Sequence, residues 1–164
     1  MSWGQPERPP GRPQRRGILL VASSGGHLLE LVQLQGEWDA GECYWVTFAT
    51  PDAMTLLAGE DVGFAHHPTN RSMRNLIRNF LVAFRVIRAL RPRAIVTTGA
   101  GVAVPFCYVG RLFGARVVFI ESFARVWSPS LTGRLVHPVA TDFFVQWPQL
   151  LRHYRKARYE GQLF

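Results

Sequence analysis

Two spacings of apolar residues alternate along the chain from residue 17 onward. Short, mostly apolar runs of about five residues are typical of strands that are buried on both faces of a sheet. These runs lie at 18–22, 44–48, 62–66, 94–98, 116–120 and 143–146. Between most of them, apolar residues recur three and four positions apart, which is the spacing of a helix with one buried face. These helical segments lie at 28–34, 53–57, 72–90 and 102–113.

The order of these segments predicts the fold class. Strands that alternate with helices form α/β folds, in which right-handed crossovers place helices on both faces of a parallel sheet. The stretch 121–138 shows neither spacing and contains two prolines, so it is predicted to be irregular. A chain of 164 residues can build one full core and is too short for two. We therefore expect one Rossmann-like domain over 17–164.

The longest predicted helix, 72–90, separates charged from apolar side chains. On a helical wheel, four arginines fall in or beside one narrow sector: Arg71, Arg74, Arg78 and Arg85. The opposite face carries Leu76, Phe80, Ala83, Ile87 and Leu90, flanked by Met73, Ile77 and Phe84. Two interpretations stay open. The arginines form either an ordinary solvated face, or a surface that lies against anionic lipid headgroups while apolar flank residues enter the membrane.

The net charge of the chain points to an anionic partner. The formal charge is +8, and only one of the basic residues is a lysine, Lys156. Arginine suits phosphate because its planar guanidinium binds two oxygens at once. Nucleic acid, a phospholipid surface and a phosphorylated substrate all fit this charge. Nucleic acid is disfavoured, because the sequence has no base-stacking or groove-reading motif.

The remaining composition narrows the setting. Residues 1–16 are rich in proline and arginine and lack an apolar stretch, so they are predicted to be a disordered basic tail and not a secretory signal. Cys43 and Cys107 lie in apolar surroundings, without the spacing of a zinc site, which indicates reduced thiols in a reducing compartment. No run reaches the roughly 18 apolar residues that a membrane-spanning helix needs.

Two predicted strand-to-helix junctions combine glycines with hydroxyl residues: "SSGGH" at 23–27 and "TTGAG" at 97–101. The carboxyl ends of parallel strands share one edge of a sheet, where ligands collect. Glycine lets the backbone approach a ligand, and the N–H groups that open a helix attract phosphate. The GxGxxG fingerprint is absent, which disfavours a nicotinamide or flavin cofactor. The junctions are therefore either capped turns or two backbone cradles suited to a diphosphate.

Two ionisable side chains stand at the same predicted edge. His27 opens a helix, where the neutral imidazole is favoured, so it could accept a proton from an attacking hydroxyl. Alternatively, His27 is a residue near the helix cap that has no catalytic role. Glu121 follows the run 116–120 and could be an acid, a base or an anchor for a sugar hydroxyl, or merely a solvated carboxylate.

Four segments resemble the asparagine-linked-glycosylation protein 14 family: "SSGGHLLEL", "TTGAGVAVP", "ESFARVWSPSLTGRLVHPVATDFFVQWPQL" and "YEGQLF". The resemblance covers nearly all of 17–164. The bacterial members of this family are PssD/CpsF-type subunits of exopolysaccharide and capsule glycosyltransferases. It implies the N-terminal, acceptor-binding half of a GT-B glycosyltransferase. A separate small protein would supply the C-terminal half and bind most of the nucleotide sugar.

The resemblance also implies which residues form the site. His27 and Glu121 are the expected catalytic residues, and Ser122 and Arg125 would lie on the acceptor or sugar side. The diphosphate of a lipid-linked acceptor would bind Ser24, Gly25, Gly26, Thr98, Gly99, Ala100 and Gly101. The segment at about 147–164 would dock on the partner through Trp147, Leu150, Leu163 and Phe164. No metal and no cofactor are expected, because backbone amides, helix ends and arginine can neutralise a diphosphate.

The resulting prediction is one subunit of a two-component glycosyltransferase that uses a lipid-diphosphate acceptor in polysaccharide biosynthesis. Eukaryotic members of the family carry an N-terminal membrane anchor where this sequence has a basic tail. A peripheral, charge-assisted association with the cytoplasmic face of the plasma membrane is therefore expected. The alternative is a non-catalytic scaffold that recruits a catalytic partner to the membrane. The sequence specifies neither the sugar nor the acceptor glycan.

Overall fold

A computed structural model describes residues 17–34, 36, 43–69 and 72–163. The predicted basic tail, Arg71 and Phe164 lie outside these ranges. The described residues form one sheet and its covering helices. The strands are β1 (Ile18–Val21), β2 (Cys43–Thr47), β3 (Val62–Phe64), β4 (Ala94–Thr97), β5 (Arg116–Ile120), β6 (Asp142–Phe144) and β7 (Ala157–Arg158). The helices are α1 (Gly26–Val32), α2 (Pro51–Leu56), α3 (Met73–Leu90), α4 (Ala103–Leu112), α5 (Leu131–Val136) and a 3₁₀ helix (Pro148–His153).

The sheet is parallel, with the strand order β3-β2-β1-β4-β5-β6-β7. The chain runs outward from β1 in one direction through β3, and then returns to pair β4 with the other side of β1. The loops that leave β1 and β4 therefore diverge to opposite faces of the sheet. Such a reversal opens a crevice at the carboxyl ends of the two strands, where α/β proteins bind ligands.

Burial on both faces explains the continuous apolar strands. Along β1, Leu19 and Val21 enter one core cluster, whereas Ile18 and Leu20 enter the other. The first cluster contains side chains of α3, α4 and α5, and the second contains side chains of α1 and α2. Alternate residues of a strand point to opposite faces, so a strand covered on both sides must be apolar at every position. The predicted α/β sheet with helices on both faces is confirmed.

The prediction of an irregular segment at 121–138 is wrong in part, because α5 lies within it. Ser130 caps this helix: its Oγ accepts a hydrogen bond of 2.8 Å from the Gly133 N–H. With six residues and an internal glycine, α5 is too short to show a helical period. The 3₁₀ helix and the two-residue strand β7 were also absent from the sequence prediction, for the same reason of length.

Candidate active site

The two glycine junctions meet at the crevice between β1 and β4. Thr98 Oγ1 donates a hydrogen bond of 2.6 Å to the main-chain oxygen of His27, which joins the second junction to the first turn of α1. Gly99 lies against the imidazole, since a Cβ at this position would be 3.3 Å from His27 Cε1. Its φ of +119° is also a conformation that favours glycine. Close packing and backbone geometry together require glycine at this position.

His27 is a half-buried histidine at the start of α1. Its Nδ1 is buried and makes no hydrogen bond of good geometry within the part of the chain that the structure describes. Burial lowers the pKa of His27; the Thr98 main chain and Glu121 oppose this effect, and the charge of Arg125 adds to it. The imidazole is therefore neutral at pH 7, and a neutral imidazole can accept a proton. The structure thus brings His27 and the second junction together, as the sequence predicted.

The first glycine junction already holds a carboxylate. The Gly25 N–H donates a hydrogen bond of 3.2 Å to Asp52 Oδ2, at the start of α2. Gly25 itself has a φ of +83°, so the junction turns sharply before α1. An anion that binds here must take the place of the Asp52 carboxylate on this N–H. Nothing in the sequence marks Asp52 as a partner of Gly25, because α2 is remote from the junction along the chain.

Glu121 lies at the carboxyl end of β5 and is 1% exposed. Oε1 accepts a hydrogen bond from the Ser122 N–H (3.2 Å), and Oε2 accepts from the Ser130 N–H (3.1 Å) and the Tyr154 hydroxyl (2.6 Å). Burial, together with the hydrogen bond to Glu121 and the charge of Glu121, raises the pKa of Tyr154 well above its ordinary value. Glu121 is therefore not a solvated carboxylate. Its buried carboxylate accepts hydrogen bonds from both ends of the loop 122–130.

Ser122 and Arg125 differ in what they can reach. The Ser122 hydroxyl is buried and donates a hydrogen bond of 2.8 Å to Glu30 Oε1. This corrects the prediction that Ser122 lies on the acceptor or sugar side, because its hydroxyl supports the loop from within. Arg125 is exposed on the same loop, and its charge lowers the pKa of His27, so it stays near the imidazole and open to a ligand.

The buried partner of Ser122 was missed by sequence reasoning. Glu30 lies on α1, and its carboxylate also accepts from the Phe123 N–H (3.2 Å) and from Gln146 Nε2 (3.3 Å). Burial raises the pKa of Glu30, and these hydrogen bonds partly offset the rise. A signal was present: Glu30 stands between Leu28 and Leu31, the two buried leucines of a short amphipathic helix.

The predicted docking segment is largely part of the domain itself. Leu150 is 0% exposed within the core, so the prediction that it contacts a partner is corrected. Leu163 is half-buried against the core beneath α1, and its N–H donates to Gln146 Oε1 (2.9 Å). Trp147 is half-buried, with its indole N–H on the Phe123 main-chain oxygen (2.7 Å). Over the described part of this segment, 147–163, the exposed large apolar side chains are Leu151 and Tyr159.

Helix α3 presents an exposed apolar surface beside its arginines. This surface, here called the α3 stripe, consists of Met73, Ile77, Phe80, Leu81 and Phe84. Met73 is 70% exposed, and Phe80, which the helical wheel places on the face opposite the arginines, is 36% exposed. The described arginines of the predicted sector, Arg74, Arg78 and Arg85, are also exposed.

The chain passes close to the crevice shortly before α3 begins. Thr69, shortly before α3, lies against Gly101 of the second junction, where a Cβ would be 3.1 Å from Thr69 Oγ1. At the other end of the helix, the stripe continues through the edge-to-face contact of Phe84 with Phe113. In the ranges that the structure describes, no helix is both long and apolar enough to cross a membrane. No group of three metal-ligating side chains comes together among these same residues.

Comparison with protein families finds one match over most of the domain. The family model described as "Oligosaccharide biosynthesis protein Alg14 like" matches residues 64–163. Relatives named UDP-N-acetylglucosamine transferase subunit ALG14 align with nearly the whole chain. The protein from Eremothecium gossypii is 30% identical, with 93% of this chain and 82% of the relative covered. The human protein is 26% identical, with 89% of this chain and 82% of the relative covered.

Solved structures share the fold at low identity. MurG from Acinetobacter baumannii superposes with a TM-score of 0.68 at 19% identity, covering 82% of this chain and 42% of MurG. A UDP-N-acetylglucosamine 2-epimerase from Rickettsia bellii gives 0.70 at 8% identity, covering 92% of this chain and 46% of the epimerase. The chain thus spans less than half the length of these structures. The likeness confirms the predicted fold class, a sheet similar to the N-terminal domains of GT-B glycosyltransferases.

Proposed function

The chain belongs to the Alg14 family of oligosaccharide biosynthesis proteins, and we propose that it is the acceptor-binding subunit of a two-component glycosyltransferase. One observation of the site carries this proposal. Two glycine junctions converge at the crevice on a histidine that is neutral and whose buried Nδ1 makes no hydrogen bond of good geometry among the described residues. A buried polar atom left without a partner is costly in a folded protein, which favours a role for it in ligand binding or proton transfer.

The proposed reaction uses His27 as the general base. A hydroxyl of the lipid-diphosphate acceptor attacks the anomeric carbon of a nucleotide sugar and passes its proton to His27. The new glycosidic C–O bond forms while the bond from that carbon to the nucleotide diphosphate breaks, and the diphosphate leaves with its negative charge. Because burial keeps His27 unprotonated at pH 7, the base is available without a further step.

The acceptor diphosphate is proposed to lie along the two junctions. Their main-chain N–H groups and the exposed Arg125 would neutralise its charge, so the proposal requires no metal and no cofactor. At Gly25 the diphosphate would replace the Asp52 carboxylate, which holds that N–H in the structure described above. Glu121 is given a positioning role, because its buried carboxylate binds the ends of the loop that carries Arg125.

The relatives' names support a proposal for the substrate and the partner. The ALG14 relatives are named as UDP-N-acetylglucosamine transferase subunits, which supports UDP-N-acetylglucosamine as the donor and a second subunit as the partner. We propose a small GT-B C-terminal-half subunit, docked against the segment 147–164. The relatives compared here are eukaryotic, so the bacterial exopolysaccharide or capsule context stays a prediction. They support the coarser assignment, a subunit acting in lipid-linked oligosaccharide synthesis.

The α3 stripe is the proposed membrane surface. Its apolar side chains would enter the headgroup region while Arg74, Arg78 and Arg85 bind lipid phosphates. Because the chain contacts the second glycine junction at Thr69, four residues before α3 begins, such docking would bring a lipid-linked diphosphate within reach of the crevice. The subunit would then be peripheral, on the cytoplasmic face of the membrane.

The test is transfer by the complex reconstituted with its partner. His27→Ala should lower kcat by about 10²–10⁴-fold, since general bases contribute this much. His66→Ala is the matched control: its imidazole is exposed at the same edge of the sheet, and only its main chain is held, by Asn79. Pull-down of the partner must be unchanged in both variants. A loss of less than about tenfold for His27→Ala would instead support the scaffold alternative.

A further inference from the structure

Helix α1 is held by its neighbours at two points, one turn apart. At its start, the His27 main-chain oxygen accepts from Thr98 Oγ1 (2.6 Å). One turn later, Glu30 Oε1 accepts from Ser122 Oγ (2.8 Å) and from the Phe123 N–H (3.2 Å). The first point fixes α1 to the loop after β4, and the second fixes it to the loop after β5. The position of the His27 ring over the crevice depends on both.

A buried amide extends this arrangement to the C-terminal segment. Gln146, just after β6, donates from Nε2 to Glu30 Oε2 (3.3 Å) and to the Glu121 main-chain oxygen (3.1 Å). Its Oε1 accepts from the Leu163 N–H (2.9 Å). Only a side chain with both donor and acceptor atoms can satisfy these three neighbours at once. Gln146 therefore links the Glu30 carboxylate to the Leu163 main chain, because its amide is hydrogen-bonded to both.

We propose that Glu30 and Gln146 are positioning residues, which couple the C-terminal segment at Leu163 to the helix that carries His27. The catalytic part of this inference rests on the proposed function; the structural coupling does not. Movement of the segment away from Gln146 leaves that buried amide oxygen without a donor, so the amide reorients and Glu30 loses a partner. The loop after β5 and α1 then lose their common anchor, and His27 gains freedom to move.

The sharpest perturbation changes hydrogen-bonding type at constant size. Glu30→Gln places an N–H₂ group against the Gln146 N–H₂ group, so two donors face each other. Gln146 can relieve this only by turning its amide over, which gives up the Leu163 N–H. The double variant Glu30→Gln/Gln146→Glu exchanges donor and acceptor: the amide at position 30 donates to the carboxylate at position 146, which still accepts from Leu163. It loses the bond to the Glu121 main-chain oxygen and sets a carboxylate oxygen against that carbonyl, so the expected rescue is partial.

Two measurements on the isolated full chain test the coupling without an activity assay. In Glu30→Gln, hydrogen exchange of the Leu163 amide should accelerate by about tenfold or more, because local opening sets its protection. The pKa of the His27 ring, followed by NMR, should rise toward its ordinary value as water reaches the imidazole. Asp61→Asn, an exposed carboxylate-to-amide change, is the control and should alter neither. The double variant should restore the protection of Leu163.

In the reconstituted complex, Glu30→Gln should lower kcat by about 10–10²-fold with little change in the acceptor KM, because misplacing a reacting group affects the transition state most. The double variant should regain part of kcat. If Glu30→Gln does not fold, Ser122→Ala, which removes a single donor to Glu30, should show the same changes at smaller size.

Unchanged Leu163 exchange and His27 titration would overturn the coupling, and so would a double variant as perturbed as the single one. Altered exchange with unchanged kcat would overturn the positioning role alone. Absence of transfer by the wild-type complex would count against the proposed function, while exchange and titration would still decide the coupling.

Discussion

Gly133 in α5 lies directly over the Glu121 carboxylate. A Cβ at this position would be 2.5 Å from Glu121 Oε2 and 3.0 Å from Ser130 Oγ, and closer still to the Tyr154 hydroxyl. Glu121 and Tyr154 are buried, and the Tyr154 hydroxyl donates a hydrogen bond of 2.6 Å to the Glu121 carboxylate. They cannot move aside as the end of a flexible side chain would. Gly133→Ala should therefore separate Tyr154 from Glu121.

The expected magnitude comes from two opposing effects. Alanine in place of glycine within a helix ordinarily stabilises a protein by about 0.5–1 kcal/mol. Losing a hydrogen bond to a buried charged group costs about 1.5–3 kcal/mol. The net loss in unfolding free energy is then about 1–2 kcal/mol, which corresponds to a Tm lower by about 2–8 °C for a chain of this size.

Thermal and urea unfolding followed by circular dichroism measure this change. Gly26→Ala is the matched control, because a Cβ at Gly26 would meet nothing within 4 Å, and it should not lower the Tm. Tyr154→Phe removes the obstructing hydroxyl, so the double variant with Gly133→Ala should be destabilised less than the sum of the single variants. A Gly133→Ala protein as stable as the wild type would refute this account of the packing around Glu121.

Three further outcomes are expected. The acid limb of the kcat/KM profile of the complex should have its midpoint below pH 6.5, because burial lowers the pKa of His27 from its ordinary value of 6.5; a midpoint at or above pH 6.5 would contradict a depressed pKa. Gly99→Ala should reduce transfer without preventing partner pull-down, since its Cβ would press on the His27 ring from a φ that disfavours alanine. Replacing Arg74, Arg78 and Arg85 with glutamine should weaken binding to anionic vesicles by about 1 kcal/mol per charge, and unchanged cosedimentation would rule out these arginines as the lipid contact.

The lowered pKa of His27 also predicts how the stability of the folded protein changes with pH. Its pKa is lowered in the folded protein, so the unfolded chain binds a proton more readily. The stability linked to His27 is therefore present above pH 6.5 and decreases as the pH falls below it. Glu30 has the opposite sign: its pKa is raised from 4.5, so its contribution decreases as the pH rises above that value. His27→Ala and Glu30→Gln should remove these slopes one at a time.

Local patterns in the sequence were sufficient for the layout of the fold. Leu19 and Leu20 are neighbours that enter opposite cores, and a strand apolar at both positions can only be a strand covered on both faces. Once the sheet is parallel, its strand ends must share an edge, so both glycine junctions and His27 were expected at one edge. Their contact depends on β1 and β4 being neighbours, which only the strand order decided. The arginine sector of α3 was likewise visible, because a helix repeats every 3.6 residues whatever surrounds it.

The tertiary structure alone decided which polar groups are partners and which apolar groups are covered. Glu30 and Gln146 are 116 residues apart, and no periodicity relates them. Phe80 and Leu150 are both apolar residues of helices, yet one is exposed and the other fully buried. Apolar periodicity records the conformation of a single segment, and a segment does not specify its neighbours. Whether Glu121 meets solvent or the hydroxyl of Tyr154 depends on where α5 and the C-terminal segment pack, and that is settled only when the whole sheet has formed.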